Sequence, residues 1–304
     1  MTDTLELRNR NLTCVIAPEF GASVLRLDVV KKGATYNVLA PTPADILKPG
    51  CDQRHFSLAH IAPWGGPIRN NRFKWEGKFK DLEPNLPDAP LFTHGIVWQR
   101  PWEGKKDGKH SATFKYVHKK QPGWVFDFSI IAIFDLEEDH LAVTYELANE
   151  GKMGIMPVGF GSTMRLPKLR KTLLSAGVST LWHEDATGVP TTPGEVPFSL
   201  DLKEGVQLDA VNTPDRWFSG WTGKASLDYA ESKMSLMVKA ETPICHLGFA
   251  CNKADDFMRL TPLTHVPGAL DILGCDEDET GYAVLGPGES TTAKIRIDVD
   301  LGLY

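Results

Sequence analysis

His94 is the residue of this 304-residue chain best placed for proton chemistry, in the run Thr93-His94-Gly95-Ile96-Val97-Trp98-Gln99-Arg100-Pro101-Trp102. An imidazole gains and loses a proton near neutral pH, the glycine after it marks a turn, and Trp98 and Trp102 offer rings that stack on a ligand or fill a core. A turn cap is the plainer role for His94. Asp215, after Pro214, is a carboxylate suited to acid–base work or to starting a turn. His265 is a further acid or base, or a structural histidine. His55 and His60 lack metal-site spacing. Asp276-Glu277-Asp278-Glu279 reads as a solvated loop, with a weak cation site as the alternative. No glycine-rich phosphate loop and no clustered His/Cys/carboxylate set is present, so neither cofactor nor metal is expected.

The elements that must position these groups are strands. Apolar residues stand two apart at Leu5/Leu7, Leu12/Cys14/Ile16 and Leu25/Leu27/Val29, along Trp124–Phe134, and at Ile295/Ile297/Val299. After the acidic turn Glu137-Glu138-Asp139, Leu141, Val143, Tyr145 and Leu147 return, which predicts a long hairpin. No stretch of a dozen residues carries a helical stripe. The 27 glycines and 21 prolines punctuate the whole chain instead of gathering into a linker. The expectation is one all-β domain over residues 1–304, with antiparallel sheets packed face to face and few or no helices.

Bulk composition narrows the partners. Hydrophobic residues make up 42% and charged ones 24%, and the net charge is −6, which argues against nucleic acid. The N-terminus lacks the apolar core of a signal peptide, and Val125–Leu136 is too short to span a bilayer. Five scattered cysteines imply no disulfide framework. A cytoplasmic monomer or homodimer acting on a small molecule is the expectation.

Several landmarks, taken in order, carry a resemblance. They are Pro18-Glu19-Phe20-Gly21-Ala22, Pro63-Trp64-Gly65-Gly66-Pro67-Ile68-Arg69-Asn70-Asn71-Arg72-Phe73, and the His94–Trp102 run. Asn149 and Met156–Gly161 follow, then Asp215-Arg216-Trp217-Phe218-Ser219-Gly220-Trp221-Thr222-Gly223, Thr261-Pro262-Leu263-Thr264-His265-Val266-Pro267, and Leu285–Ser290. Together they resemble the aldose 1-epimerase, or galactose-mutarotase-like, family. The resemblance implies a β-supersandwich and a sugar substrate. In that family a base removes the anomeric hydroxyl proton while an acid protonates the ring oxygen, so the ring opens and recloses on the other face. A histidine and a glutamate do this work, and a second histidine, an arginine and an aspartate hold the sugar.

By the same resemblance, His94 and Asp215 keep two stations. The general-acid histidine falls on Thr163, the glutamate on Thr261 and the arginine on Pro67. A hydroxyl does not titrate near pH 7, so the usual proton-transfer pair is missing. Two residues from each replaced position stands an arginine: Arg69, Arg165 and Arg259. In extended chain such residues share a face, and guanidinium forks match acidic groups. This predicts a pocket for an anionic sugar, or else three unrelated surface arginines. Three functions stay in view. The first is isomerisation at the anomeric carbon, with His94, Asp215 and His265 carrying the chemistry and Arg69, Thr163, Arg165, Arg259 and Thr261 binding. The others are different isomerase or lyase chemistry on an acidic carbohydrate, and sugar binding without catalysis.

Overall fold

A computed structural model of the chain describes residues 3–48, 50–86, 89–121, 124–272, 277–300 and 302. Strands dominate, as the alternation demands. The hairpin forms from Phe128–Leu136 and His140–Asn149, paired from Phe128↔Asn149 to Leu136↔Leu141. It starts four residues later than the alternation from Trp124 suggests. Ser290–Asp300, which holds Ile295, Ile297 and Val299, lies between His140–Asn149 and Met234–Ala240.

Two large sheets result. Among the described residues the first has eleven strands, and from its interior to one edge it runs Leu58–Ile61, Gly161–Pro167, Phe257–Leu263, His246–Cys251, Thr213–Ser219, Thr180–Glu184 and Pro190–Gly194, all antiparallel. The second has nine strands among the described residues and includes the hairpin. One apolar cluster extends from Leu7 to Val299 and draws on both sheets. Each large side chain it encloses contributes about 1.5–3 kcal/mol. Among the described residues the α-helix is a single turn, Glu277–Thr280, where a solvated loop was expected. Asp276 and Cys275 lie outside the described residues. Cys14, Cys51 and Cys251 are buried thiols.

A buried polar chain links the two sheets. Ser162 Oγ lies 2.5 Å from the Tyr145 hydroxyl, which lies 2.6 Å from His60 Nδ1, and His60 Nε2 donates to the Ala22 carbonyl at 3.1 Å. Tyr145 belongs to the second sheet, and Ser162 and His60 to the first. Ser162 therefore faces inward, and its neighbours Thr163 and Arg165 define the outer face of the first sheet by alternation.

Candidate functional site

The His94 turn owes its shape to close backbone approach. The His94 N–H donates to the Gly66 carbonyl, and the Gly66 N–H donates to His94 Nδ1, each at 3.0 Å. A Cβ on Gly95, whose φ is +70°, would lie 2.0 Å from the Ala62 carbonyl oxygen, so only glycine fits. His94 itself has φ 59°, a left-handed conformation that costs a non-glycine residue about 1–2 kcal/mol. Such strain is a pointer to function. The ring is 7% exposed, and burial lowers its pKa to about 4. The charges of Arg259 and Arg54 lower it, while Asp215 and Asp52 act the other way. Because Nδ1 accepts a hydrogen bond, the neutral ring carries its proton on Nε2, a tautomer assigned from the bonding pattern. Nε2 has no hydrogen-bond partner among the described residues. His94 is thus a fixed donor.

Two rows of side chains cross the outer face of the first sheet. In the deeper row Thr261 Oγ1 donates to Thr163 Oγ1 at 3.1 Å, and each residue is only 3% exposed. Gly248 continues that row. A Cβ there would stand 2.5 Å from the Trp217 ring and 2.9 Å from Thr261 Cβ, so Trp217 leans across it and helps form a closed floor.

The second row is charged. Arg165 pairs across the strands with Arg259, and Arg259 with Ala250. Over the small Ala250, Arg259 Nη2 donates to both carboxylate oxygens of Asp215 at 2.9 Å. Beyond Asp215, Arg216 Nη1 donates to Glu184 Oε2 at 2.6 Å. Burial raises the Glu184 pKa to about 7. Arg216 opposes that shift, and Asp215 and Asp185 add to it.

The arginines already have acceptors. Arg165 Nη1 donates to the Pro41 and His55 carbonyls at 3.1 and 2.9 Å, and its guanidinium lies 3.9 Å above the Phe257 ring. It thereby fastens a loop whose Phe56 packs with Cys51 and Ala59, and which carries the Asp52–Arg54 ion pair. Arg69 sits on the short turn Arg69–Asn71 and bonds Asp185 and the Pro190 carbonyl, apart from the Arg165–Arg259 pair. Pro67, beside it, bridges to Thr93.

His265 meets a different environment from the one its expected acid–base role needs. It is fully buried, with its ring centroid 4.0 Å from that of Trp64. The Gly65 N–H donates to Nε2 at 3.1 Å, and Nδ1 donates to Thr264 Oγ1 at 3.1 Å. Burial, with His246 and His94 nearby, lowers its pKa to about 3. Both nitrogens are engaged within the protein.

The structure therefore gathers Thr163, Arg165, Asp215, Arg259 and Thr261 on one sheet face, with His94 within electrostatic reach of Asp215 and Arg259. Sequence reasoning missed Glu184 and the Asp52–Arg54 pair. The available signal for Glu184 was its period-two spacing from Trp182, whose Nε1 donates to Ser219 Oγ on the adjoining strand. A separate cleft of about 420 Å³, lined by Asn85, Gln99, Arg100, His118 and Trp124 among others, shares no residue with this constellation. Among the described residues no group of three or more His, Cys, Asp or Glu side chains gathers to hold a metal, and no helix is long and apolar enough to cross a membrane.

Residues 3–298 match the family model for aldose 1-epimerase. The chain belongs to the aldose 1-epimerase family. It is 26% identical over 292 residues to the uncharacterized protein YphB of Escherichia coli K12, covering 91% of this chain and 96% of that one. It shares its fold with a galactose mutarotase-like protein from Clostridium acetobutylicum, with a TM-score of 0.84, 17% identity, and coverage of 98% and 95% of the two chains. The GalM/aldose epimerase homologue from C. elegans superposes with a TM-score of 0.82 at 16% identity, over 99% of both chains. Family membership suggests an isomerase with a small carbohydrate substrate.

Proposed function

We propose that the protein binds a sugar on the outer face of its first sheet, beneath the His94 turn, and exchanges the sugar's anomeric forms. The observation that carries this reading is the His94 ring, pinned through Nδ1 with Nε2–H left for a ligand, within reach of the Asp215–Arg259 pair. Asp215 offers acceptor oxygens and Arg259 donors, a combination that suits neighbouring hydroxyls of a neutral sugar. The three arginines of the anionic-sugar idea are already committed to Asp215, Asp185 and backbone carbonyls, so an uncharged substrate is favoured. His265 supports the scaffold, since its nitrogens hold Gly65 and Thr264.

A second reading is sugar binding without turnover. It draws on the Thr163–Thr261 hydrogen bond, where two hydroxyls that cannot titrate are closed on each other. Polarimetry with a panel of aldoses and uronic acids separates the cases. Acceleration for a neutral aldose, markedly lowered in Asp215→Asn, supports exchange. Binding without acceleration selects the second reading, and acceleration restricted to uronic acids restores the acidic substrate.

A further inference from the structure

The deeper row of the site is shut, and the charged row above it holds two carboxyl groups whose surroundings differ. Thr180–Glu184 and Thr213–Ser219 are paired strands; Arg216 Nη1 donates both to Glu184 Oε2 and to the Asp215 carbonyl, and the Asp215 charge acts on Glu184. Asp215 has a side chain 40% exposed, and both its oxygens accept from Arg259 Nη2. Glu184 is 12% exposed. Its Oε2 takes Arg216, while Oε1 is buried and has no partner among the described residues. A buried oxygen without a partner is costly unless a proton or a ligand compensates it.

We propose that Glu184 is the proton donor of this site, acting on the sugar's ring oxygen while Asp215 accepts the proton of the anomeric hydroxyl. The inference rests on the exchange reading above and adds the residue that completes it. In the forward step Asp215 takes the hydroxyl proton and the C1–O1 bond becomes a carbonyl. The bond from C1 to the ring oxygen breaks with its electron pair passing to that oxygen, which receives the Glu184 proton. After rotation about C1–C2 the freed hydroxyl attacks the other face of the carbonyl. It returns its proton to Glu184, and O1 recovers its own from Asp215. Nothing is consumed.

The raised pKa of Glu184, about 7, keeps a large fraction protonated at neutral pH, as a donor requires. A carboxyl kept protonated by burial near a second, more exposed carboxyl is a recurrent acid–base arrangement.

The test is the pH profile of anomer exchange in wild type, Glu184→Gln and Arg216→Gln. Glu184→Gln keeps an acceptor for Arg216, so the strand contact survives. Wild-type rate should fall as pH rises through about 7, because the donor loses its proton. Glu184→Gln should lower kcat about 100-fold, with KM little changed, and abolish that alkaline limb. Arg216→Gln removes a charge that holds the Glu184 pKa down, so the limb should move to higher pH. A purely structural ion pair would lower stability in both variants alike without moving the limb. Wild-type kcat or an unchanged limb in Glu184→Gln overturns this inference and leaves the exchange reading standing. No acceleration of any sugar by the wild type overturns both.

Discussion

His94 shows how far one side chain can be read and where reading stops. Its turn was legible because a glycine after the histidine marks a turn, although the contact that forces glycine at 95 comes from the distant Ala62. Its chemistry depends on Gly66, 28 residues away, whose N–H occupies Nδ1. A neutral donor is the outcome, and His94→Ala should weaken sugar binding about tenfold, the worth of about one hydrogen bond, in a calorimetric titration. Asp215→Asn removes the charge facing Arg259 and should cost about 10–100-fold in binding or turnover, consistent with the about 1.5–3 kcal/mol of a hydrogen bond to a charged group. Equal affinity in either variant would remove that residue from the site. His265 was open to a catalytic reading because burial is not a property of neighbouring letters. Glu184 was passed over for the same reason, since the residue that gives it meaning, Asp215, arrives from another strand.

Elements decide which of these side chains meet. Period two sufficed to put Thr163 with Arg165 and Arg259 with Thr261 on shared faces, and it drew the hairpin around Leu141, Val143, Tyr145 and Leu147. It could not say that Gly161–Pro167 and Phe257–Leu263 are neighbours, nor that carbonyls of Pro41 and His55 would take up Arg165. At Gly248 neighbouring strands approach closely over the site. Gly248→Ala would force Trp217 and Thr261 apart and should cost about 1–3 kcal/mol, read as a lower urea midpoint together with weakened sugar binding. Tyr145→Phe strips the hydroxyl shared by His60 and Ser162. Leaving two buried polar groups without that partner should cost a similar about 1–3 kcal/mol, and an unchanged urea midpoint would show that the buried chain adds nothing to stability.

Across the whole molecule, enclosed histidines tie stability to pH. His60, His94 and His265 have pKa values lowered by burial from 6.5 to about 4, about 4 and about 3. The unfolded chain takes up their protons first, so their contribution is complete above about pH 6.5 and is lost as pH falls toward 4. Each can cost up to about 1.4 kcal/mol per pH unit in that window. Urea midpoints should therefore drop steeply between pH 6 and pH 4, and a flat profile would mean that the rings reach solvent. Trp217, leaning over Gly248 at the floor of the site, gives the protein a built-in optical reporter. A sugar settling there would change the polarity around the indole, so emission should follow its arrival without any label. Although the chain has eight tryptophans, Trp217→Phe should silence most of the ligand-dependent signal and leave the remaining fluorescence to report folding alone.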